Sequence, residues 1–214
     1  VGAKKNIELA KKWFPDWEVY LYLDEDTKFE YTSENLTIIP RKSDESHDGL
    51  FWRFEPLDSD DIVIVRDLDD RLSERHKFVV DEWLNSDKDL HVIRDHPGHG
   101  SHILGGLWGT RNGLLKGFKE RMKEVKNRAF GSDEGFLSKT LWNNYYMNRA
   151  YIHDEYRMVW TGREHPISIP RVGYDFLGNV YDENDVMNEA HIAIIRQIEE
   201  ERNRMIPMTI TQRI

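Results

Sequence analysis

Three aspartates, Asp67, Asp69 and Asp70, directly follow a short apolar segment and are the residues of this chain best suited to chemistry. The segment at 62–65 reads Ile-Val-Ile-Val, and such a β-branched run favours a strand buried on both faces of a sheet. Ligands of open α/β sheets bind beyond the carboxyl ends of the strands. An Asp-x-Asp pair at such an end supplies the hard oxygen ligands that Mg²⁺ and Mn²⁺ prefer. The pattern therefore predicts a divalent-metal site that bridges phosphate oxygens.

The same aspartates have other interpretations. A solvated turn is the simplest one for an isolated Asp-x-Asp. A calcium loop of the EF-hand type is excluded, because its fifth and sixth positions, an oxygen ligand and a glycine, are Arg71 and Leu72 here. A phosphatase of the haloacid-dehalogenase type also places Asp-x-Asp after an apolar strand. Arg71 stands where that class usually has Thr or Val, which weakens this interpretation without excluding it.

Composition limits the class of protein and of partner. The chain has 214 residues, which suits one domain with a real core, and its formal charge of −9 argues against general nucleic-acid binding. It contains no cysteine, so thiol nucleophiles and cysteine zinc sites are excluded, and a reducing, cytoplasmic location is predicted. No apolar run is long enough to span a membrane.

A polar loop at 94–102 contains three histidines, His96, His99 and His102. Zinc is one interpretation of this composition, but no ligand triad with familiar spacing is present, so an ordinary polar loop is favoured. The following segment, 103–109, reads as a glycine-interrupted strand. Its adjacent glycines, Gly105 and Gly106, are typical of places where a backbone approaches a ligand closely.

Hydrophobic periodicity predicts alternating strands and helices along the chain. We expect strands at 18–23, 36–39, 62–65, 90–93, 103–109 and 150–153, and a short helical segment at 50–54. We expect longer helices at 1–14, 73–84, 114–125, 133–147 and 186–204. Phe78, Val79 and Trp83 should face inward. Ser132 is the expected N-cap of the helix that carries Asp133 in its first turn.

Several segments together form an ordered set across most of the chain: RDLDDRLSER, VDEWL, HVIRDHPGH, ILGGLWG, DEGFL, IHDEY and PRVGYDFLGNVYDEND. This set resembles the GT-A-fold nucleotide-sugar glycosyltransferases, in particular the compact ones encoded by bacteria and by large algal viruses. The resemblance implies a single α/β domain over 1–214 with a central mixed, mostly parallel sheet flanked by helices. It also implies a nucleotide-sugar donor, expected to be UDP-linked, held with Mn²⁺ or Mg²⁺, and a glycan hydroxyl as acceptor. A virus-encoded protein would act in the host cytoplasm.

The resemblance also implies roles for individual residues. Asp67 and Asp69 would face ribose and metal, and His153 would be a further metal ligand. Asp133 would grip donor hydroxyls or serve the acceptor. Gly105 and Gly106 would let the backbone approach the donor closely. Arg71 and Arg75 would approach the diphosphate or the sugar of the donor. For the two arginines, salt bridges to the local acidic cluster are an equal alternative.

Three functions are compatible with these residues. The first is glycosyl transfer. An inverting mechanism needs a carboxylate base, for which the chain offers Asp133, Glu134 and Asp95 as candidates, whereas a retaining mechanism needs no such base. The second is a metal-dependent phosphohydrolase with Asp67 as nucleophile. The third is a non-catalytic sugar- or nucleotide-binding module of a longer polypeptide. GT-A chains usually begin with a strand that helps to hold the nucleobase, before a helix like 1–14. This sequence begins at the helix, which puts selectivity for the nucleobase in question.

Overall fold

Strands and helices alternate in a computed structural model that describes residues 1–43, 47–126, 128–156 and 162–205. The strands are β1 (Val19–Asp24), β2 (Leu36–Arg41), β3 (Val63–Arg66), β4 (Leu90–Arg94), β5 (Leu107–Thr110), β6 (Ala150–Asp154) and β7 (Glu164–His165). The helices are α1 (Gly2–Trp13), α2 (Gly49–Trp52), α3 (Glu74–Leu84), α4 (Phe118–Met122), α5 (Ser132–Leu141), α6 (Asn144–Met147) and α7 (Glu189–Met205). A 3₁₀-helix, Glu55–Asp58, follows α2. The predicted α/β class is confirmed.

The strands form two sheets. β1 and β2 make a parallel pair, and the larger sheet has the order β3-β5-β4-β6-β7. Within it β4, β6 and β7 are parallel, whereas β5 is antiparallel to both β3 and β4. The expectation of one mostly parallel sheet is therefore wrong. The side chains of a strand alternate in the same way in either direction, so periodicity cannot report how a strand is oriented.

β3, the strand that precedes the aspartates, lies at the edge of the larger sheet. Only Val65 within it is buried, and Ile62 just before it is 45% exposed. The prediction of a strand buried on both faces is wrong at this point. Helices pack on both faces of the sheet but cover β3 only in part, and one backbone edge of β3 has no paired strand among the described residues. An apolar run does not show whether a strand lies at the edge of a sheet.

Apolar side chains pack against both faces of the larger sheet. On one face an aromatic cluster joins α2, the 3₁₀-helix, α4 and α5 to Trp108 of β5. On the other face α1 and α3 pack through Phe14, Val80 and Trp83. The predicted inward face of α3 is confirmed for the fully buried Val79 and Trp83, while Phe78 is half-buried. This two-sided packing holds the carboxyl ends of β3 and β4 in fixed positions.

The bounds of several strands and helices differ from the predicted ones, in part because local hydrogen bonds end or restart a helix. The strand predicted at 103–109 begins only at β5, and the helix predicted at 114–125 is limited to α4. The helix predicted at 133–147 is split into α5 and α6, because Asn143 Oδ1 accepts hydrogen bonds from the backbone N–H groups of Tyr145 and Tyr146 and starts a new helix. Ser132 is not an N-cap; it lies inside α5, and its hydroxyl oxygen accepts from the backbone N–H of Ala129 at 2.8 Å.

A cleft separates the two sheets. Residues of β1 and β3 line a cavity of about 630 Å³ between them, together with Trp17 and Arg53. A smaller cavity of about 150 Å³ adjoins it and is lined by α1, β1 and the residues that follow β3, including Asp67. We call these two cavities the inter-sheet cleft. In the part of the chain that the structure describes, no helix combines the length and apolar character needed to cross a membrane.

Candidate functional site

Asp67 leaves the carboxyl end of β3 and meets residues from three other parts of the chain. Its carboxylate, 46% exposed, forms an ion pair with the guanidinium of Arg53, which follows α2. The second arm of that guanidinium, Nη2, donates to Asp133 Oδ2 at 2.5 Å. Arg53 Nε donates to the carbonyl of Leu50 at 3.1 Å, which fixes the plane of the side chain. One arginine therefore bridges two carboxylates that are 66 residues apart in sequence (133 − 67).

The glycine pair before β5 closes this site from one side. A Cβ at Gly106 would overlap the carboxylate of Asp67, and a Cβ at Gly105 would overlap Asp133 and the Arg53 guanidinium. Only glycines let the turn approach these charged groups so closely. The close approach seen here is to the carboxylates and the guanidinium, and the expected approach of this backbone to a ligand stays a prediction.

Glu134 belongs to the same cluster. Its carboxylate accepts hydrogen bonds from the hydroxyl of Ser101 and from the backbone N–H of Gly105 at 3.3 Å. Asp133 is buried and Glu134 is half-buried, so of the two neighbouring acids at the start of α5 the second is the more accessible. Both lie in the first turn, where the helix dipole favours a negative charge.

The structure thus brings five predicted residues together, namely Asp67, Gly105, Gly106, Asp133 and Glu134. It adds two that the sequence analysis missed, Arg53 and Ser101. Arg53 stands in an aromatic segment, Phe-Trp-Arg-Phe, that reads as core, and no local pattern links it to the distant acids. We call these seven residues the Asp67 site.

Asp69 lies next to this site and interacts electrostatically with Asp67. Although the residue as a whole is exposed, partial desolvation of its carboxylate raises the pKa of Asp69 above its ordinary value, and the negative charge of Asp67 raises it further. Two carboxylates that repel each other in this way gain from a cation between them. Among the described residues, no group of three or more His, Asp or Glu side chains is arranged to hold a metal ion. Two carboxylates suit Mg²⁺ or Mn²⁺ when phosphate oxygens and water complete the ligand shell.

His153 does not join this group. It is fully buried in β6, its Nε2 is 2.9 Å from Glu82 Oε2, and its Nδ1 is 2.9 Å from His91 Nε2. With both ring nitrogens engaged inside the core, the side chain has no nitrogen left for a metal ligand. The structure therefore does not bring His153 to Asp67 and Asp69, and its contacts do not support the expected role as a metal ligand. The position of a histidine near the end of an apolar strand does not show which face of the sheet the ring occupies.

The stability of the protein should fall in mild acid because of this histidine. Burial lowers the pKa of His153 to about 4, and the nearby Glu82 only partly offsets it. An unfolded chain takes up the proton near pH 6.5, so between pH 6.5 and 4 the unfolded state binds more protons and stability falls as the pH falls. The loss is about 3 kcal/mol at most and levels off below pH 4.

Urea unfolding of wild type and His153→Gln from pH 7 to pH 4 measures this effect. The variant should show a shallower loss of unfolding free energy over that range, because glutamine does not titrate. His47→Gln, which changes a histidine outside β6 and its paired strands, is the matched control and should retain the wild-type slope. Equal slopes in all three proteins would show that His153 titrates alike in the folded and unfolded states.

Asp95 is also engaged elsewhere. It is fully buried and pairs with Arg75 through two hydrogen bonds of 2.8 and 2.9 Å and with Arg171 at 2.5 Å. Its Oδ2 also accepts from the backbone N–H of Leu177 at 3.0 Å. A carboxylate surrounded in this way cannot reach a substrate proton. The structure therefore places Asp95 in a buried ion-pair cluster outside the Asp67 site, and its contacts do not support the expected role as a base.

The two arginines expected near the diphosphate are likewise engaged in ion pairs. Arg75 is held by Asp95, and Arg71 is buried with its Nε donating to Asp185 at 2.7 Å. Arg71 also stacks over the ring of Tyr181 at 4.8 Å. Both arginines form salt bridges, but with distant acids, so the expected alternative of salt bridges to the neighbouring Asp67–Asp70 cluster is not what the structure shows. The donor role expected for them is not supported.

The histidine loop is held by hydrogen bonds and ring contacts. His99 Nδ1 accepts from the backbone N–H of Asp95 at 3.1 Å, and His96 Nε2 lies 3.2 Å from the carbonyl of His191 in α7. His102 packs against Trp142 with ring centroids 4.5 Å apart. The rings of His96 and His99 also lie 5.6 Å apart and both contact Phe176, whereas His102 lies against another part of the chain. The three histidines form no ligand set within the described residues.

Comparisons with known proteins add no name to this site. No family model matches the chain, and no curated protein or solved structure matches it significantly. The protein is a mixed α/β domain with a charged site at the carboxyl end of a strand that lies at the edge of its sheet among the described residues.

Proposed function

We propose that this protein is a metal-dependent glycosyltransferase that moves a sugar from a UDP-linked donor to a hydroxyl group of a glycan. The observation that carries the proposal is the Asp67 site, in which the acidic end of β3, the glycine turn and the first turn of α5 meet at one arginine. Asp67 and Asp69 after β3 suit binding of the donor diphosphate through a metal ion, and Asp133 and Glu134 in α5 suit binding of the donor sugar.

The residues divide into two roles. Asp67 and Asp69 would hold Mn²⁺ or Mg²⁺ together with the diphosphate, and the ion would neutralise charge on the leaving group. Arg53 and Asp133 form the pair that orients the donor sugar, because Asp133 is buried and its charge is fixed in place by the guanidinium. A buried, bonded carboxylate positions groups well and accepts a proton poorly.

Glu134 is the better candidate for the base of an inverting mechanism. It is more exposed than Asp133, and it already accepts a hydrogen bond from an alcohol, the hydroxyl of Ser101. A glycan hydroxyl in place of that serine would meet the same carboxylate oxygen. In a retaining mechanism no base is needed, and Glu134 would only stabilise the turn before β5 through its hydrogen bonds with Ser101 and Gly105.

Titration calorimetry with a panel of nucleotide sugars, in Mn²⁺ and in EDTA, tests the proposal. We expect UDP-sugars to bind at least about tenfold more tightly in Mn²⁺, equivalent to 1.4 kcal/mol. Transfer to a glycan acceptor, with only slow donor hydrolysis in its absence, would distinguish a transferase from a phosphohydrolase. Binding without any turnover would indicate a non-catalytic module, and equal affinity in EDTA would contradict the metal site.

Asp69→Asn should remove the dependence of donor binding on metal while leaving the fold intact. The side chain is exposed enough to contribute little to the core, and its loss removes one of the two metal ligands. Donor affinity in Mn²⁺ should therefore fall to the value measured in EDTA, about tenfold lower. Asp26→Asn, an exposed aspartate in the turn after β1, is the control and should keep the full metal effect.

A further inference from the structure

Ser73, His76 and Asp70 form a chain of hydrogen bonds at the start of α3. Ser73 Oγ lies 3.0 Å from His76 Nδ1, and His76 Nε2 lies 2.8 Å from Asp70 Oδ2. A carboxylate oxygen only accepts hydrogen bonds, so Nε2 carries the imidazole proton and Nδ1 accepts from the serine hydroxyl. A hydroxyl, a base and an orienting acid in this order are the catalytic set of serine hydrolases, which is recognised by geometry and not by sequence position.

The base of this chain is held rigidly, whereas the hydroxyl is accessible. The side chains of His76 and Asp70 are only 1% and 5% exposed. Asp70 Oδ1 also accepts from the backbone N–H of Arg71 at 2.7 Å, which fixes the carboxylate. Ser73 is half-buried and lines a cavity of about 50 Å³. A buried imidazole that offers one nitrogen to an accessible hydroxyl is the arrangement that activates a serine.

Helix capping is the ordinary role of a serine at this position, and it is not the role that Ser73 has. Ser73 is the N-cap residue of α3, but its side chain makes no capping hydrogen bond. The hydroxyl bonds to His76 instead. The N–H groups in the first turn of a helix have no acceptor within the helix, so an oxyanion formed beside Ser73 would find hydrogen-bond donors there.

The walls of the cavity set the size and charge of the group that Ser73 can attack. A cavity of about 50 Å³ holds only a few water molecules, so the acyl group of a substrate must be small, such as acetyl. Two carboxylates, those of Glu74 and Asp175, belong to the lining and disfavour an anionic substrate. Val172 is 85% exposed, which places the opening to solvent, and the alcohol part of a substrate, on its side. The apolar part of the lining suits a methyl group and consists of Ile169, Pro170, Val172 and Phe176.

We propose that Ser73 is the nucleophile of a second active site, which hydrolyses acetyl esters of uncharged alcohols. Ser73 Oγ forms a bond to the ester carbonyl carbon while its proton passes to His76 Nδ1. The bond from that carbon to the alcohol oxygen then breaks, and the alcohol leaves with the proton from His76. Water attacks the acetyl-serine and gives one proton to His76, which returns it to Ser73 Oγ as acetic acid leaves. Asp70 keeps the imidazole in the required orientation and is a positioning residue.

Labelling of the full chain with a fluorophosphonate, followed by peptide mass spectrometry, tests the proposal. This reagent reacts with serines that a neighbouring base activates. We expect an adduct on Ser73 and at least about a hundredfold less on Ser59, a half-buried serine whose hydroxyl donates to the carbonyl of Pro56 at 2.9 Å. para-Nitrophenyl acetate should acetylate Ser73 and be turned over. The assays contain EDTA and no nucleotide sugar, so their result is independent of the proposed transferase activity.

Ser73→Ala should lower the rate of ester hydrolysis at least about a hundredfold, and His76→Gln should do the same and also suppress the Ser73 adduct. Glutamine keeps the hydrogen bonds of the histidine but is not a base. Ser59→Ala is the matched control and should hydrolyse the ester at the wild-type rate. Thermal unfolding identifies the folded variants, and if His76→Gln unfolds, the wild-type adduct and Ser73→Ala decide. A folded wild type without an adduct on Ser73, or unchanged labelling in folded His76→Gln, would overturn the proposal.

Discussion

Asp133→Asn is expected to lower the rate of sugar transfer by about a hundredfold or more, with a loss of stability of only about 1 kcal/mol. The asparagine oxygen can still accept the hydrogen bond from Arg53 Nη2, so the local geometry survives. What is lost is the negative charge that holds the guanidinium between two carboxylates. Arg53 should then pair with Asp67 alone, and the sugar-binding side of the site should lose its alignment.

Steady-state transfer assays and thermal unfolding of the same preparations measure both quantities. Arg53→Gln should lower transfer by a similar factor, and the double variant should be no slower than either single one, because residues that act as a pair give non-additive effects. Ser132→Ala, at the position next to Asp133, is the control and should transfer at the wild-type rate. Near-wild-type turnover of Asp133→Asn would remove Asp133 from the site.

Asp95→Asn is expected to have the largest effect on stability, lowering the free energy of unfolding by about 3–5 kcal/mol. The carboxylate is fully buried and neutralises the guanidinium groups of Arg75 and Arg171. Without its charge, two desolvated cations remain close together, and the acids left to offset them are at longer range: Glu155, 3.8 Å from Arg75, and Glu199, 3.7 Å from Arg171. Turnover per folded molecule should stay within about threefold of wild type, because Asp95 does not contact the Asp67 site.

Urea unfolding gives the stability, and the folded fraction corrects the transfer rate. Asp60→Asn is a matched control, since Asp60 pairs with Lys116 at 2.8 Å but both side chains are more than 60% exposed. Exposed pairs of this kind contribute less than about 1 kcal/mol. If Asp95→Asn instead unfolds like wild type and loses its turnover, Asp95 acts in catalysis as the sequence first indicated.

Local sequence determined most of the elements of this protein. The helix at the start of the chain, the β-branched run before the aspartates and the amphipathic α3 all lie within about two residues of their predicted positions. These features depend on periodicity and on side-chain branching, which operate over a few residues. The acidic residues at the end of β3 and the adjacent glycines before β5 were also recognisable, because each is a short pattern on one segment.

Tertiary structure alone decided which charges meet. The sequence offered Asp95, Asp133 and Glu134 as candidate bases, and folding buried the first between two arginines and joined the second to Arg53. Arg53 and Asp133 are 80 residues apart, so no local pattern relates them. Likewise, the strand that carries the aspartates became an edge strand, because strand order and direction depend on which distant segments pair, and a period of two residues is the same in every arrangement.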